Sequence, residues 1–369
     1  MDGLIFIYFI IFPFGKLLGT IPDLLIILIV IFSLRSKIIQ NGQKQVNALV
    51  TIFIFSLFFS LSFFNLPQIF TGFLYLVRLI SYIFFSQIIL QKFSKEKSKK
   101  ELIFNSLISI GIFIAIFGWI QYFLFPDLRA LKTLGWDDHY FRLTSTFLDP
   151  AFTGILLVLT EVLVLIKTIK KQSKTNYFIN LFLIITILLT YSRSSFLSLF
   201  FSVLFLLFKF KKKFLLFLLV LFILIIPFLP KTSGEGTNLA RTNSINQKFI
   251  NYQESIDLIK KSPIFGVGFN NLCIAKNSFL NKDNALSHTC SGLDNSVMFI
   301  MATTGVVGLI IFIQLIFSII KNTELNLYGW GLIVSFVAIF IHGMFTNTFF
   351  YNFVLGWMAI LIGVTRVKD

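Results

Sequence analysis

The stretch YFINLFLIITILLTYSRSSFLSLFFSVLFLLF, residues 177–208, decides the fold. Its 32 residues are apolar almost throughout and break only at Tyr191-Ser192-Arg193-Ser194-Ser195. The segments on either side, 167–176 and 209–213, hold four basic residues each. Cytoplasmic loops of membrane proteins are enriched in Lys and Arg, so both flanks belong on the same side of a bilayer and the stretch has to cross it twice. Two arms of about 15 residues are short for a hydrocarbon core of about 30 Å. The turn between them is therefore expected to lie recessed in the outer face, carrying Arg193. A charge at full depth costs roughly 2.5 to 3.5 kcal/mol, and such residues are functional candidates by default.

Working outward, the rest of the 369 residues has the same character. The chain is 56% hydrophobic and only 13% charged, with a mean hydropathy of +0.87. A soluble domain has about a quarter of its residues charged, so an ordinary globular enzyme and a disordered chain are both excluded. The 49 Phe accompany abundant Ile, Lys and Asn, as a coding bias produces, and carry no functional weight. Apolar segments at 4–18, 21–34, 46–64, 69–90, 102–125, 151–166, 177–191, 194–208, 214–230, 296–320, 328–346 and 349–364 predict an all-α polytopic membrane protein of about twelve transmembrane helices in a single integral-membrane domain. The first two segments are short and contain Pro13, Gly15 and Lys16, which leaves eleven spans open. The apolar start runs on without a small-residue cleavage site, so no cleaved signal is expected.

With both termini cytoplasmic, the inner side holds 19 basic and five acidic residues, and the outer side 12 and 10. Of the net charge of +16, +14 thus faces the cytoplasm as an orientation signal, and a nucleic-acid partner is not expected. Two outer loops are long, 126–150 and 231–295, and any extracytoplasmic chemistry belongs in them. The second includes an amphipathic helix around 249–261. Inside the spans, Arg78 lies nine residues from the outer end of 69–90 and Glu161 ten from that of 151–166, about 14 to 15 Å deep at 1.5 Å per residue. Equal depth and opposite charge predict that the two form an ion pair, either structural or beside a bound lipid.

The loop 231–295 contains Lys261-Ser262-Pro263-Ile264-Phe265-Gly266-Val267-Gly268-Phe269, followed by Asp294-Asn295-Ser296 and by Thr304-Gly305-Val306-Val307-Gly308 in the next span. Arg142-Leu143-Thr144-Ser145-Thr146-Phe147-Leu148-Asp149-Pro150 and the Arg193 turn precede them. In order and placement these elements resemble the O-antigen ligase and O-antigen polymerase superfamily of bacterial membrane glycosyltransferases, from about residue 102 onward. The resemblance implies an enzyme of the bacterial inner membrane that takes a glycan from an undecaprenyl diphosphate carrier and transfers it, without a metal or other cofactor, to a hydroxyl of an acceptor glycan or other surface molecule. Arg142, Arg193 and Arg241 match the family's outer arginines. Arginine suits a diphosphate because its guanidinium forks bidentately onto phosphate and stays charged. Interfacial snorkelling or a loop ion pair is the alternative for each.

The acceptor hydroxyl also needs a proton acceptor within hydrogen-bond reach. Where ligases carry a His before Asn-Ser, this sequence has Asp294, a departure that leans from a ligase toward a polymerase. Asp294 is a candidate base and equally a candidate N-cap of the following span. His288 is a second candidate base or a solvated loop residue. Trp136-Asp137-Asp138-His139 matches a metal-binding pattern only weakly, and no metal site is expected there. Cys273 and Cys290, the only cysteines, share one outer loop, where an oxidising compartment permits a disulfide or leaves two free thiols. A transporter or flippase of lipid-linked glycans is the competing class. It would place several ionisable groups along a deep pathway. A non-catalytic assembly partner would leave the outer arginines dispensable.

Overall fold

The apolar segments form helices in the computed structural model, which describes residues 2–34, 44–94, 96–134, 139–232, 235–280, 290 and 292–365. In chain order these are α1 (Asp2–Ile11), α2 (Ile21–Leu34), α3 (Lys44–Phe59), α4 (Leu66–Phe93), α5 (Lys97–Leu124), α6 (Pro150–Lys170), α7 (Lys174–Leu188), α8 (Arg193–Phe210), α9 (Lys213–Ile225), α10 (Asn243–Lys261), α11 (Leu272–Leu280), α12 (Ser296–Lys321), α13 (Leu327–Gly343) and α14 (Asn352–Thr365). Five of them, α4, α5, α6, α8 and α12, are long and apolar enough to cross a membrane by length and composition. The other expected spans are shorter apolar helices, and the first is split. Its α-helix gives way to a 3-10 stretch Phe12–Leu18 that bends at Gly15.

Polar residues set where the helices begin. Asn65 and Gln68 form a reciprocal capping box at α4, and Asp149 accepts from the amides of Ala151 and Phe152 at the start of α6. Asn326 does the same for α13. α6 is the central post, packed against α5, α7, α8 and α13, and its side chains from Thr153 to Ile166 are all buried. The peripheral helices instead expose Phe70, Phe123, Phe178, Phe217 and Phe317, which lipid can cover without cost.

The predicted Arg78–Glu161 pair does not form. Arg78 Nη2 lies 2.9 Å from Asp23 Oδ2, and Asp23 also accepts from the Tyr82 hydroxyl at 2.7 Å and from Asn352 Nδ2. The network ties α2, α4 and α14 together. Glu161 is fully buried, and its carboxyl oxygens make no hydrogen bond among the described residues. Equal depth fails as a criterion because depth says nothing of lateral position. α4 packs on α2 and α14, whereas α6 packs on α5, α7, α8 and α13.

The Gly-rich loop and the Gly-containing span form one unit. α12 breaks at Gly305, whose φ of 67° lies in the left-handed region that costs other residues roughly 1 to 2 kcal/mol. The segment around Pro263 to Gly268 lies in that break. Val267 and Gly268 donate to the carbonyls of Ala302 and Thr303 at 2.8 and 3.0 Å, while Val306 and Val307 donate to those of Pro263 and Ile264 at 2.9 and 3.4 Å. The backbone groups freed by the break are thus satisfied, as buried helix interruptions require. The approach is close enough to demand glycine on both sides. A Cβ at Gly305 would stand 2.0 Å from the Ile264 carbonyl oxygen, and one at Gly266 would stand 2.3 Å from the Thr303 carbonyl carbon.

Candidate active site

α7 ends at Leu188 and α8 begins at Arg193, so the chain reverses within a few residues, as the charge pattern of the flanks requires. Tyr191 holds a left-handed conformation with φ 50°, and the Ser192 side chain caps α8 through the Ser195 amide. The first-turn amides of α8 have no intrahelical acceptor, and a helix N-terminus of this kind favours anions.

A cavity of about 410 Å³ opens there, lined by Arg142, Arg193, Arg241 and Lys248, with Ser192, Ser194, Ser244 and Tyr252 among its polar groups. Its apolar wall includes Ile245, Phe249, Leu197 and Phe345. No acidic side chain lines it among the described residues. The three arginines singled out in the sequence thus meet at one place, and they also build it. Arg142 donates to the carbonyls of Thr190 and Tyr191 at 3.1 and 3.3 Å, and Arg241 reaches the Tyr191 carbonyl at 3.5 Å. Arg193 donates to the Arg241 carbonyl at 3.1 Å, the Leu239 carbonyl at 3.4 Å and the Ser244 hydroxyl. These contacts use three of the five N–H donors of Arg193. Three cations held around one turn repel one another, and an anion placed among them would relieve that repulsion.

Lys248 is the member that sequence reasoning missed. Its ammonium donates to the Phe345 carbonyl and lies 3.6 Å from Asp294 Oδ1. Burial pushes the Lys248 ammonium below the ordinary lysine range, and the Asp294 carboxylate works against that shift. A signal was present in the sequence. Ser244, Lys248 and Tyr252 recur every four residues and so share one face of α10. Tyr252 donates to the Met344 carbonyl at 2.7 Å, and burial, with the Asp294 charge second, raises its phenol. Ser194 joins the cavity to a fully buried His342, its Oγ 3.0 Å from Nε2, and His342 Nδ1 lies 2.7 Å from the Thr348 hydroxyl.

Asp294 lies beside Lys248, which lines the cavity, but it does not cap the following span. Asn295 does, accepting from Val297 and Met298 at 2.9 and 3.0 Å. Asp294 is left with its side chain 39% exposed. Its position is fixed through the backbone, since its amide donates to Asn251 Oδ1 at 2.8 Å. Two further ties hold the preceding residues. A disulfide links Cys273 of α11 to Cys290, and Lys276, paired with Glu254 at 3.6 Å, donates to the Gly292 carbonyl at 3.1 Å. His288, Trp136, Asp137 and Asp138 lie outside the described residues, and His139 is buried.

A helical protein with helices of membrane length and a basic cavity at the turn between α7 and α8 defines a class: a polytopic membrane protein with a cationic cavity between its helices. Residues 178–313, which carry the turn, α10, the Gly-rich loop and the broken span, match the family described as O-Antigen ligase. That match supports the O-antigen ligase and polymerase superfamily and a ligase- or polymerase-like membrane function. No curated protein matches the chain.

Proposed function

We propose that this protein is a glycosyltransferase of the bacterial inner membrane that moves a glycan from undecaprenyl diphosphate to an acceptor hydroxyl at the outer face. The observation that carries this reading is the convergence of Arg142, Arg193, Arg241 and Lys248 on one cavity at the N-terminus of α8. The loops 126–150 and 231–295 are then extracytoplasmic and both termini cytoplasmic. The leaving group is a diphosphate whose charge builds as the glycosidic bond breaks. Cations fixed in advance around that charge favour the transition state over the ground state. Arg193 contributes its remaining donors, and Arg142 and Arg241 hold the turn in shape while adding their charge.

The acceptor hydroxyl attacks the anomeric carbon from the face opposite the diphosphate, inverting its configuration. Asp294, exposed beside Lys248, takes the hydroxyl proton, and the Lys248 ammonium holds its carboxylate in place until then. The glycan and diphosphate sit in the cavity, and the polyprenyl chain stays in the bilayer. No metal or other cofactor enters the mechanism.

Reconstitution with a synthetic undecaprenyl diphosphate glycan tests the reading. Release of undecaprenyl diphosphate together with a lengthened or transferred glycan is the expected result. Movement of the lipid between leaflets without turnover would instead make the protein a transporter.

A further inference from the structure

A second basic cavity, of about 680 Å³, lies at the far ends of the helices that frame the first. Ala151 at the start of α6 lines the first cavity and Lys170 at its end lines the second, a separation of about 30 Å along the helix at 1.5 Å per residue. α8 runs the same way from Arg193 to Phe210, and α13 returns from Trp330 to His342. That distance is the thickness of a hydrocarbon core, so the two cavities open on opposite membrane faces.

We infer that this second cavity binds the headgroup of an anionic phospholipid of the inner leaflet. Lys97, Lys100 and Lys170 line it against a single acid, Glu324, which Lys100 Nζ approaches at 3.8 Å. Lys209 adds a further cation, its ammonium 4.6 Å from the Trp330 ring that forms part of the wall. Trp330 and Tyr328 are the residue types that settle at the headgroup level of a bilayer. Ile166, Ile169 and Phe210 supply the apolar side on which glycerol and the upper acyl chains would lie. A free phosphate would use the lysines but leave the aromatic and aliphatic wall idle. A phospholipid uses both, and basic pockets between spans on this face take such headgroups. The site neither uses nor touches the outer arginines, so it stands apart from the transfer reaction proposed above.

Native mass spectrometry of the full chain, extracted from membranes and exchanged into vesicles of phosphatidylglycerol and phosphatidylcholine, reads retained lipid directly. One phosphatidylglycerol is expected to stay bound. The variant Lys97→Gln/Lys100→Gln/Lys170→Gln should lose it with about a 100-fold drop in affinity, as roughly 1 kcal/mol per lysine at an anionic surface implies. Lys260→Gln/Lys261→Gln, on exposed α10 residues, should keep it. Glu324→Gln, which removes the competing carboxylate, should hold it more tightly and keeps the test decisive if the triple variant fails to fold. Equal retention by wild type and Glu324→Gln, no preference for phosphatidylglycerol over phosphatidylcholine, or displacement by millimolar inorganic phosphate would overturn the inference.

Discussion

Replacing Gly305 by Ala tests how the Gly-rich loop around residues 263–268 is held to α12. The new Cβ would meet the Ile264 carbonyl oxygen at 2.0 Å, a contact relieved only by moving backbone, and φ 67° would cost the alanine roughly 1 to 2 kcal/mol. Four interlocking backbone hydrogen bonds lie beside that contact, from Val267, Gly268, Val306 and Val307. If moving the backbone disrupts two or three of them at about 1 kcal/mol each, the total loss is about 3 to 5 kcal/mol. The assay is unfolding of the purified protein in mixed micelles, with Gly3→Ala as control, because a Cβ there meets nothing within 4 Å. Gly305→Ala should unfold at markedly lower denaturant, while Gly3→Ala stays within about 0.5 kcal/mol of wild type, as surface substitutions do. Equal stability of Gly305→Ala and wild type would refute the account of the loop as locked into the broken helix.

Other outcomes follow from the two charged networks and the cavity. Arg193→Ala should lower kcat/KM for the lipid-linked donor by about 100-fold or more, through lost charge stabilisation, and Arg193→Lys should recover only part of it because it lacks the fork. For Lys248, donor binding needs the charged form, which prevails below its lowered pKa. Donor affinity should therefore fall as pH rises through that value, and Lys248→Arg should move the fall to higher pH in a binding titration. The same shift means that the unfolded chain binds more protons between the lowered and the ordinary pKa, so this group's contribution to stability rises with pH across that interval. Removing Asp23, the buried partner of the partly exposed Arg78, should cost about 2 to 3 kcal/mol, and the two sites should couple in a double-mutant cycle. Arg78 and Glu161 should show no coupling. Glu161→Met should be neutral or stabilising, because it removes a buried carboxyl with no hydrogen-bond partner.

Much of this architecture was legible in the order of residues, for identifiable reasons. Hydropathy placed the apolar helices because lipid leaves the backbone few alternatives to a helix. The lysine flanks of 177–208 exposed the reversal at Arg193 before any coordinate did. Arg142, Arg193 and Arg241 stood out because they sit at positions that match the family the sequence resembles, and they line one cavity. What failed was lateral information. Asp23, near the start of the segment 21–34, has no partner legible in the sequence, and only the packing of α2 on α4 brings it to Arg78. Lys248 was one basic residue among several on an amphipathic helix, and only the docking of α10 on α12 gave its face a direction. Asp294 and Asn295 are both good caps by type, and local geometry chose the second. The pairing of His342 with Ser194 spans 148 residues of sequence and had no local signal.

The way residues 263–268 sit inside the break of α12 also sets where this protein can be cut and recombined. An exchange of residues 231–295 with those of a relative, taken up to the start of α12, would bring a foreign set of carbonyls and amides to a helix break shaped for another partner. The smallest transplantable piece is therefore not the loop but the loop together with its helix, from before Pro263 to beyond Gly308. Whatever residues 263–268 carry, it can be grafted only together with the part of α12 that receives them.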